Sequence, residues 1–205
     1  MNPTLPIVMA LTGASGAPYG IRLLQQLVLA ERPVRLIVSS HGFRLLRTES
    51  EVQDVAGLRA HIGEGAFDRY VTVYDDADRG AAPASGSSKT AGMVICPCSM
   101  GTIASIAAGT SRSLVERAAD VTLKERRPLI LVPRETPLSA IHLENMLRLT
   151  RAGAIVMPAA PGFYNRPTRI AELVDFMVAR VLDHLDVPQT LVPRWGESPD
   201  ADRAH

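Results

Sequence analysis

The stretch LILVPRETPLSAIHLENM, residues 129–146, sets Arg134 beside Glu135 between two prolines, after an apolar run and before a helix-like pattern. A solvated ion pair there would contribute little to stability. At the end of a buried strand the same two residues could do chemistry, the guanidinium holding an anion and the carboxyl moving a proton. Two further stretches suit an anionic ligand. LTGASGAPYG contains Gly13, Ser15, Gly16 and Gly20, so its backbone can approach a phosphate and present N–H groups at a helix start. It lacks the lysine of G-x-x-x-x-G-K-[ST] and departs from G-x-G-x-x-G, so tight-turn packing explains it equally well. CPCSMGTIAS repeats the arrangement, with Ser99 and Thr102 able to cap a helix or donate to a ligand. Cys98 has no histidine nearby in sequence to activate it and reads as a buried structural thiol.

Other candidates lie further along. SRSLVERAADVTLKERRPL has helical periodicity, and Arg117 and Lys124, seven residues apart, project from nearly the same face. A solvated charged face is the alternative; the run into the strand that delivers Arg134 suggests instead that this face borders the same cleft. GFYNRP supplies Tyr164, whose phenol can reach a ligand oxygen, and Arg180 lies on a final helix, RIAELVDFMVARVLDHL.

These residues must be positioned by elements. Runs rich in Val and Ile alternate with helical patterns, which predicts β-α-β units and a parallel sheet covered on both faces. Strands are expected near Pro6 to Leu11, Val34 to Val38, Met93 to Cys96, Leu129 to Val132 and Ala154 to Met157. Helices are expected to begin near Pro18, Gly42, Ser99, Ser113, Pro137 and Thr168. Residues 63–89 are less regular: RYVTVYDDADR can hold a strand, and GAAPASGSSKT reads as a loop. The fold class is therefore α/β, with one domain over residues 1–187 and a proline-containing tail, 188–205, that packs on a neighbour or frays. Ligands of such sheets sit beyond the carboxyl ends of the strands. The junctions TGASGAP, SSHG, PCSMGT and PRETP should converge there on one cleft.

Composition limits the function. Lys plus Arg is 22 against 21 Asp plus Glu, a formal charge of +1, which offers no overall attraction to nucleic acid or an anionic membrane. The two cysteines, Cys96 and Cys98, make neither a disulfide framework nor a zinc set, pointing to a reducing compartment. The first residues lack a basic start and do not read as a signal peptide. TAGMVICPCSMGTIASIAAGTS, residues 90–111, is uncharged and long enough to span a bilayer. Its proline, glycines and hydroxyls fit a buried strand, turn and helix better, and the protein reads as soluble.

The combination resembles the UbiX family of flavin prenyltransferases, within the flavin-binding proteins that include phosphopantothenoylcysteine decarboxylases. The resemblance rests on GASGAPYGIRLL, PCSMGTIASIAAG, RAADVTLKERRPLILVPRETPLSAIHLENMLRL and GAIVMPAAPGFYNRP, and covers about residues 6–187, loosely over 49–89. It implies a Rossmann-like three-layer sandwich and transfer of the dimethylallyl group of dimethylallyl monophosphate to N5 and C6 of reduced FMN, without a metal. It further implies a cytoplasmic homo-oligomer, commonly a dodecamer, whose product serves a UbiD-type decarboxylase. Carried over residue by residue, it implies that Gly13, Ala14, Ser15, Ser39, Ser99, Met100, Gly101, Thr102 and Arg134 hold FMN. Lys124, Tyr164, Arg180 and Arg117 would surround the prenyl phosphate, with Arg117 from the same or an adjacent subunit, and Trp195 of the tail would close a neighbour's site. Glu135, Lys124, Ser15 and Glu49 would take part in catalysis. Two other readings remain: an FMN-dependent cysteine decarboxylase using His41, and a non-catalytic flavin-binding subunit.

Overall fold

The computed structural model describes residues 5–192. Six parallel strands form one sheet in the order β3-β2-β1-β4-β5-β6: β1 Ile7–Leu11, β2 Val34–Val38, β3 Val71–Tyr74, β4 Gly92–Cys98, β5 Leu129–Pro133 and β6 Ile155–Val156. Eight helices cover it: α1 Ala17–Leu29, α2 Ser40–Glu49, α3 Val55–Ile62, α4 Glu64–Tyr70, α5 Met100–Ala108, α6 Leu114–Lys124, α7 Ala140–Arg151 and α8 Ile170–His184. Each parallel pair needs a crossover, and chain order places the helices on the two faces.

The two-residue period of the strands divides the core. Ile7, Met9 and Leu11 of β1 join Ile130 and Val132 of β5 in one apolar layer, beneath α1 and α8. Val8 and Ala10, with Leu129 and Leu131, enter the other, beneath α5, α6 and α7. Because both faces are covered, the strands read as continuous apolar runs, and β1, β4 and β5 are buried along their whole lengths.

The carboxyl end of β4 departs from this regularity. Pairing with β5 jumps from Ile95↔Leu131 to Cys98↔Pro133, so β4 carries one extra residue, a β-bulge. The Pro97 carbonyl turns to β1 and accepts from both the backbone N–H and the hydroxyl of Thr12, each at 3.1 Å. The same hydroxyl oxygen accepts from the Ser99 N–H at 2.8 Å. Thr12 is buried, so this clamp fixes where Ser99 begins the next helix.

Expected and observed elements differ where short polar segments decide. The helix expected from Pro137 begins at Ala140, because Ser139 caps it by accepting from the His142 N–H at 3.2 Å. That expected from Thr168 begins at Ile170, after Glu172 collects the Thr168 and Arg169 N–H groups. Two helices were not foreseen: α3, capped by Asp54, and α4, which starts after Gly63 at φ +104°. The last strand shortens to Ile155–Val156 at the sheet edge. No helix among the described residues is long and apolar enough to cross a membrane, and Trp195 lies outside them.

Thr12→Val keeps the shape of the clamp but removes its donor and its acceptor. The expected cost is about 1–3 kcal/mol, the range for stranding a buried partner, read as a lower urea midpoint with an unchanged denaturant slope.

Candidate functional site

The carboxyl ends of β1, β2 and β4 open on a cavity of about 500 Å³ lined by Thr12, Gly13, Ser39, His41, Ser99, Gly101, Thr102, Arg112 and Ser113, among others. Three helices begin at it. Ser39 caps α2 by accepting from the Gly42 N–H at 3.0 Å, Ser99 caps α5 through the Thr102 N–H at 3.2 Å, and Ser113 caps α6 through the Glu116 N–H at 3.4 Å. Each N-terminus carries partial positive charge and directs N–H groups at the same space. Close packing makes this possible. A Cβ on Gly42 would sit 2.5 Å from the Leu11 carbonyl oxygen, so only glycine lets α2 start against β1.

The fourth helix start at this end of the sheet is already occupied. Gly16, at φ +133°, turns the chain into α1, and Glu49 from the end of α2 accepts from the Gly16 and Ala17 N–H groups, each at 2.8 Å. Burial by itself would raise the Glu49 carboxyl. The Ser15 hydroxyl, these two amides and the charge of Arg134 outweigh it and hold the group below the ordinary glutamate value. Arg134 in turn donates from Nε to the Ser15 carbonyl at 3.2 Å. Ser15, Glu49 and Arg134 thus form one cluster, joining the first and fifth strand ends as the sequence led one to expect. Glu135, next to it, is exposed, and its Oε1 accepts from the Thr136 N–H at 3.1 Å.

Tyr164 and Arg180 line a second cavity, of about 760 Å³, with Phe176 and Asp183. The Tyr164 ring meets Phe176 edge-on at 5.6 Å, and Arg180 pairs with Asp183 at 3.0 Å.

Lys124, expected on a helix face bordering the cleft, lines neither cavity within one chain. The start of α6, at Ser113 and Glu116, faces the first cavity. Lys124 ends that helix roughly 16 Å further on, at 1.5 Å per residue. There it pairs with Glu125, close to Gly86 and just before the turn into β5. Arg117 lies between, paired with Asp120 at 2.8 Å. Spacing had shown that the two share a face, not which end of the sheet each occupies. Met100 and Ala14 are likewise buried at 6% and 4% exposure, so the ligand can meet their backbone but hardly their side chains. His41 borders the first cavity, where a Cβ on Gly13 would come within 2.5 Å of its Cβ.

Some lining residues were not foreseen. Asp76, after β3, accepts from the Leu114 and Val115 N–H groups at 2.7 and 2.9 Å and so ties the third strand end to α6. A strand in RYVTVY followed by the strand-end rule would have pointed to it. Arg112, Ser105 and Glu116 carry no such sequence signal. Neither cysteine is a nucleophile in waiting: both are buried, and burial pushes the Cys96 thiol up to about 12 and the Cys98 thiol still further. Among the described residues no group of three or more His, Cys, Asp or Glu side chains is placed to hold a metal ion.

Comparison with known proteins agrees with this geometry. The Flavoprotein family model matches residues 1–183. The flavin prenyltransferase UbiX of Pseudomonas aeruginosa is 52% identical over 196 residues, covering 93% of this chain and 94% of that protein. The crystal structure of AnUbiX in complex with FMN and dimethylallyl pyrophosphate superposes with a TM-score of 0.87 at 40% identity, covering 94% and 98% of the two chains. A dodecameric FMN-dependent UbiX-like decarboxylase from Escherichia coli O157:H7 gives 0.85 at 41% identity, covering 93% and 99%. Half its residues shared with one such enzyme, over nearly the full length of both, and its six-stranded frame shared with the others, the chain belongs to the Flavoprotein family and, within it, to the UbiX flavin prenyltransferases.

Proposed function

We propose that the protein joins the dimethylallyl group of dimethylallyl monophosphate to reduced FMN and hands the prenylated product to a UbiD-type decarboxylase. The observation that carries the reading is the Ser15–Glu49–Arg134 cluster, on the same β1–α1 turn as Gly13, which lines the cavity bordered by helix N-termini. The cavity suits FMN in two respects: its volume is that of a small-ligand site, and its backbone donors match a phosphate. Gly13, Ala14, Ser15, Ser39, residues 99–102 and Arg134 would hold the flavin. When bound and reduced, it supplies the nucleophilic N5 and C6 atoms.

The chain's own residues then have distinct tasks. Breaking the allylic carbon–oxygen bond builds negative charge on phosphate and positive charge on carbon. Cations fixed at the leaving oxygens lower that barrier, a role for Arg180, Lys124 and Arg117, with Tyr164 donating from its phenol and Arg134 shared with the flavin. Side-chain charge suffices for this, and the transfer is read as metal-independent. Glu49, kept ionised, opposes the positive charge on the prenyl carbons. Glu135 protonates the departing phosphate and later takes the proton released at the second bond. The edge of the cavity near Ser15 must also exclude water long enough for capture.

A second copy would supply Lys124, since one chain places it at the far end of α6. The dodecameric relative makes a homo-oligomer the natural setting, and a dodecamer is our reading. Reduced flavin and two free cysteines suit the cytoplasm. The decarboxylase alternative rests on His41, whose contacts in the cavity are packing against Gly13 and a 3.5 Å approach to the Ser40 hydroxyl.

Anaerobic incubation with reduced FMN and dimethylallyl monophosphate should give a flavin heavier by one dimethylallyl group, seen by mass; unchanged flavin would refute the reading. Glu135→Gln should bind FMN normally and lose at least 100-fold in turnover, the lower range for a general acid–base. Lys124→Ala should raise KM for the prenyl phosphate and leave FMN affinity alone. Coexpression of these two impaired variants should restore a share of the activity at subsaturating prenyl phosphate, because mixed assemblies contain sites with both wild-type residues; no restoration would place Lys124 with its own chain's Glu135.

Glu49 links folding to pH. Its native value is lowered, so its ionised form stabilises the fold fully above the ordinary value of 4.5, and that contribution is lost as pH falls through the native value. Glu49→Gln should therefore flatten the acid limb of a plot of unfolding midpoint against pH; an unchanged limb would show that the carboxylate is not tied to α1 in solution.

A further inference from the structure

Residues 110–112, in the loop between α5 and α6, lie between two of the sequence blocks that carry the family resemblance, and none of the roles derived above uses Arg112. Arg112 in this loop lines the first cavity. Its Nη2 donates to the Ser105 hydroxyl at 2.7 Å and pairs with Glu116 Oε1 at 3.5 Å, which stretches the side chain along the cavity mouth. Glu116 Oε2 also accepts from the Arg112 backbone N–H at 2.7 Å and from the Thr110 hydroxyl at 3.0 Å.

The direction in which FMN must lie follows from which anion holes are filled. The α1 N-terminus is closed by Glu49, so the flavin phosphate cannot use it. The helix starts of α2 and α5 border the cavity, and Arg112 lines it with them, while the first amides of α6 are taken by Asp76. The two carboxylates lining that cavity already have partners, Arg112 among those of Glu116. Asp76 caps α6, and Glu116 closes the 110–116 loop. Arg112 is the cation among the lining residues, and its guanidinium carries five N–H groups, more than its two side-chain contacts use.

We propose that Arg112 reads the phosphate of the flavin, making the cavity select FMN over riboflavin. The inference rests on the reading of this cavity as the FMN site. The side chain is 71% exposed, so the effect is that of a charge-assisted hydrogen bond weakened by solvent and salt.

Titration of FMN and of riboflavin into the full-length protein, followed by quenching of flavin fluorescence at low and high salt, tests it. Arg112→Gln should weaken FMN binding roughly tenfold, the low end for a hydrogen bond to a charged group, leave riboflavin binding unchanged, and reduce the salt dependence seen with FMN. Arg112→Lys should recover part of the loss. Equal weakening of both flavins would reveal a merely structural brace and overturn the proposal, as would unchanged FMN affinity. Wild-type protein that binds neither flavin would overturn the reading of the cavity itself, and the assignment with it.

Discussion

A carboxylate that fills its own protein's anion hole organises this molecule. Glu49 bridges the end of α2 to the start of α1 and satisfies two amides that a ligand would otherwise claim. In doing so it fixes the position of Ser15, and through the Ser15 carbonyl that of Arg134. The first and fifth strand ends and the end of α2 are thereby locked together by one charged network. Because the α1 hole is closed, a phosphate at this end of the sheet has to use other helix starts.

The sheet makes such a network possible. With both faces buried, its strands have little freedom to slip, since a one-residue shift would carry apolar side chains from one layer into the other. Loop tips on a rigid frame can hold polar groups within hydrogen-bonding distance. The bulge at the end of β4 adds what a regular strand could not: it turns the Pro97 carbonyl sideways onto Thr12 and sets the first turn of α5 against the cavity.

Much of this was legible in the sequence, and the limits have physical causes. Apolar runs marked the four central strands or their cores, because a doubly covered sheet requires them. The strand-end rule anticipated that Gly13, Ser39 and Ser99 share one cavity and that Arg134 reaches the turn after β1. Helices α3 and α4 escaped because each is short and weakly patterned, bringing mainly Leu58 and Phe67 to the core. For Lys124 the spacing left open which chain's cleft it meets. Heptad spacing reports a shared face of a helix, whereas a site also depends on the end of the sheet at which each residue emerges. Arg112 and Glu116 were invisible because their position depends on contacts within a loop, which no periodicity announces.

The same bulge has a chemical consequence for the two thiols. Cys96 belongs to the apolar layer beneath α1 and α8, and Cys98 to the one beneath α5 to α7, although a single residue separates them. A mild oxidant that reached either sulfur would find the other turned to the opposite side of the sheet, so joining them would mean unpicking the centre of the fold. An enzyme that handles a reduced, oxygen-sensitive flavin thus carries its sulfur where peroxide has least access and where an accidental crosslink has no path.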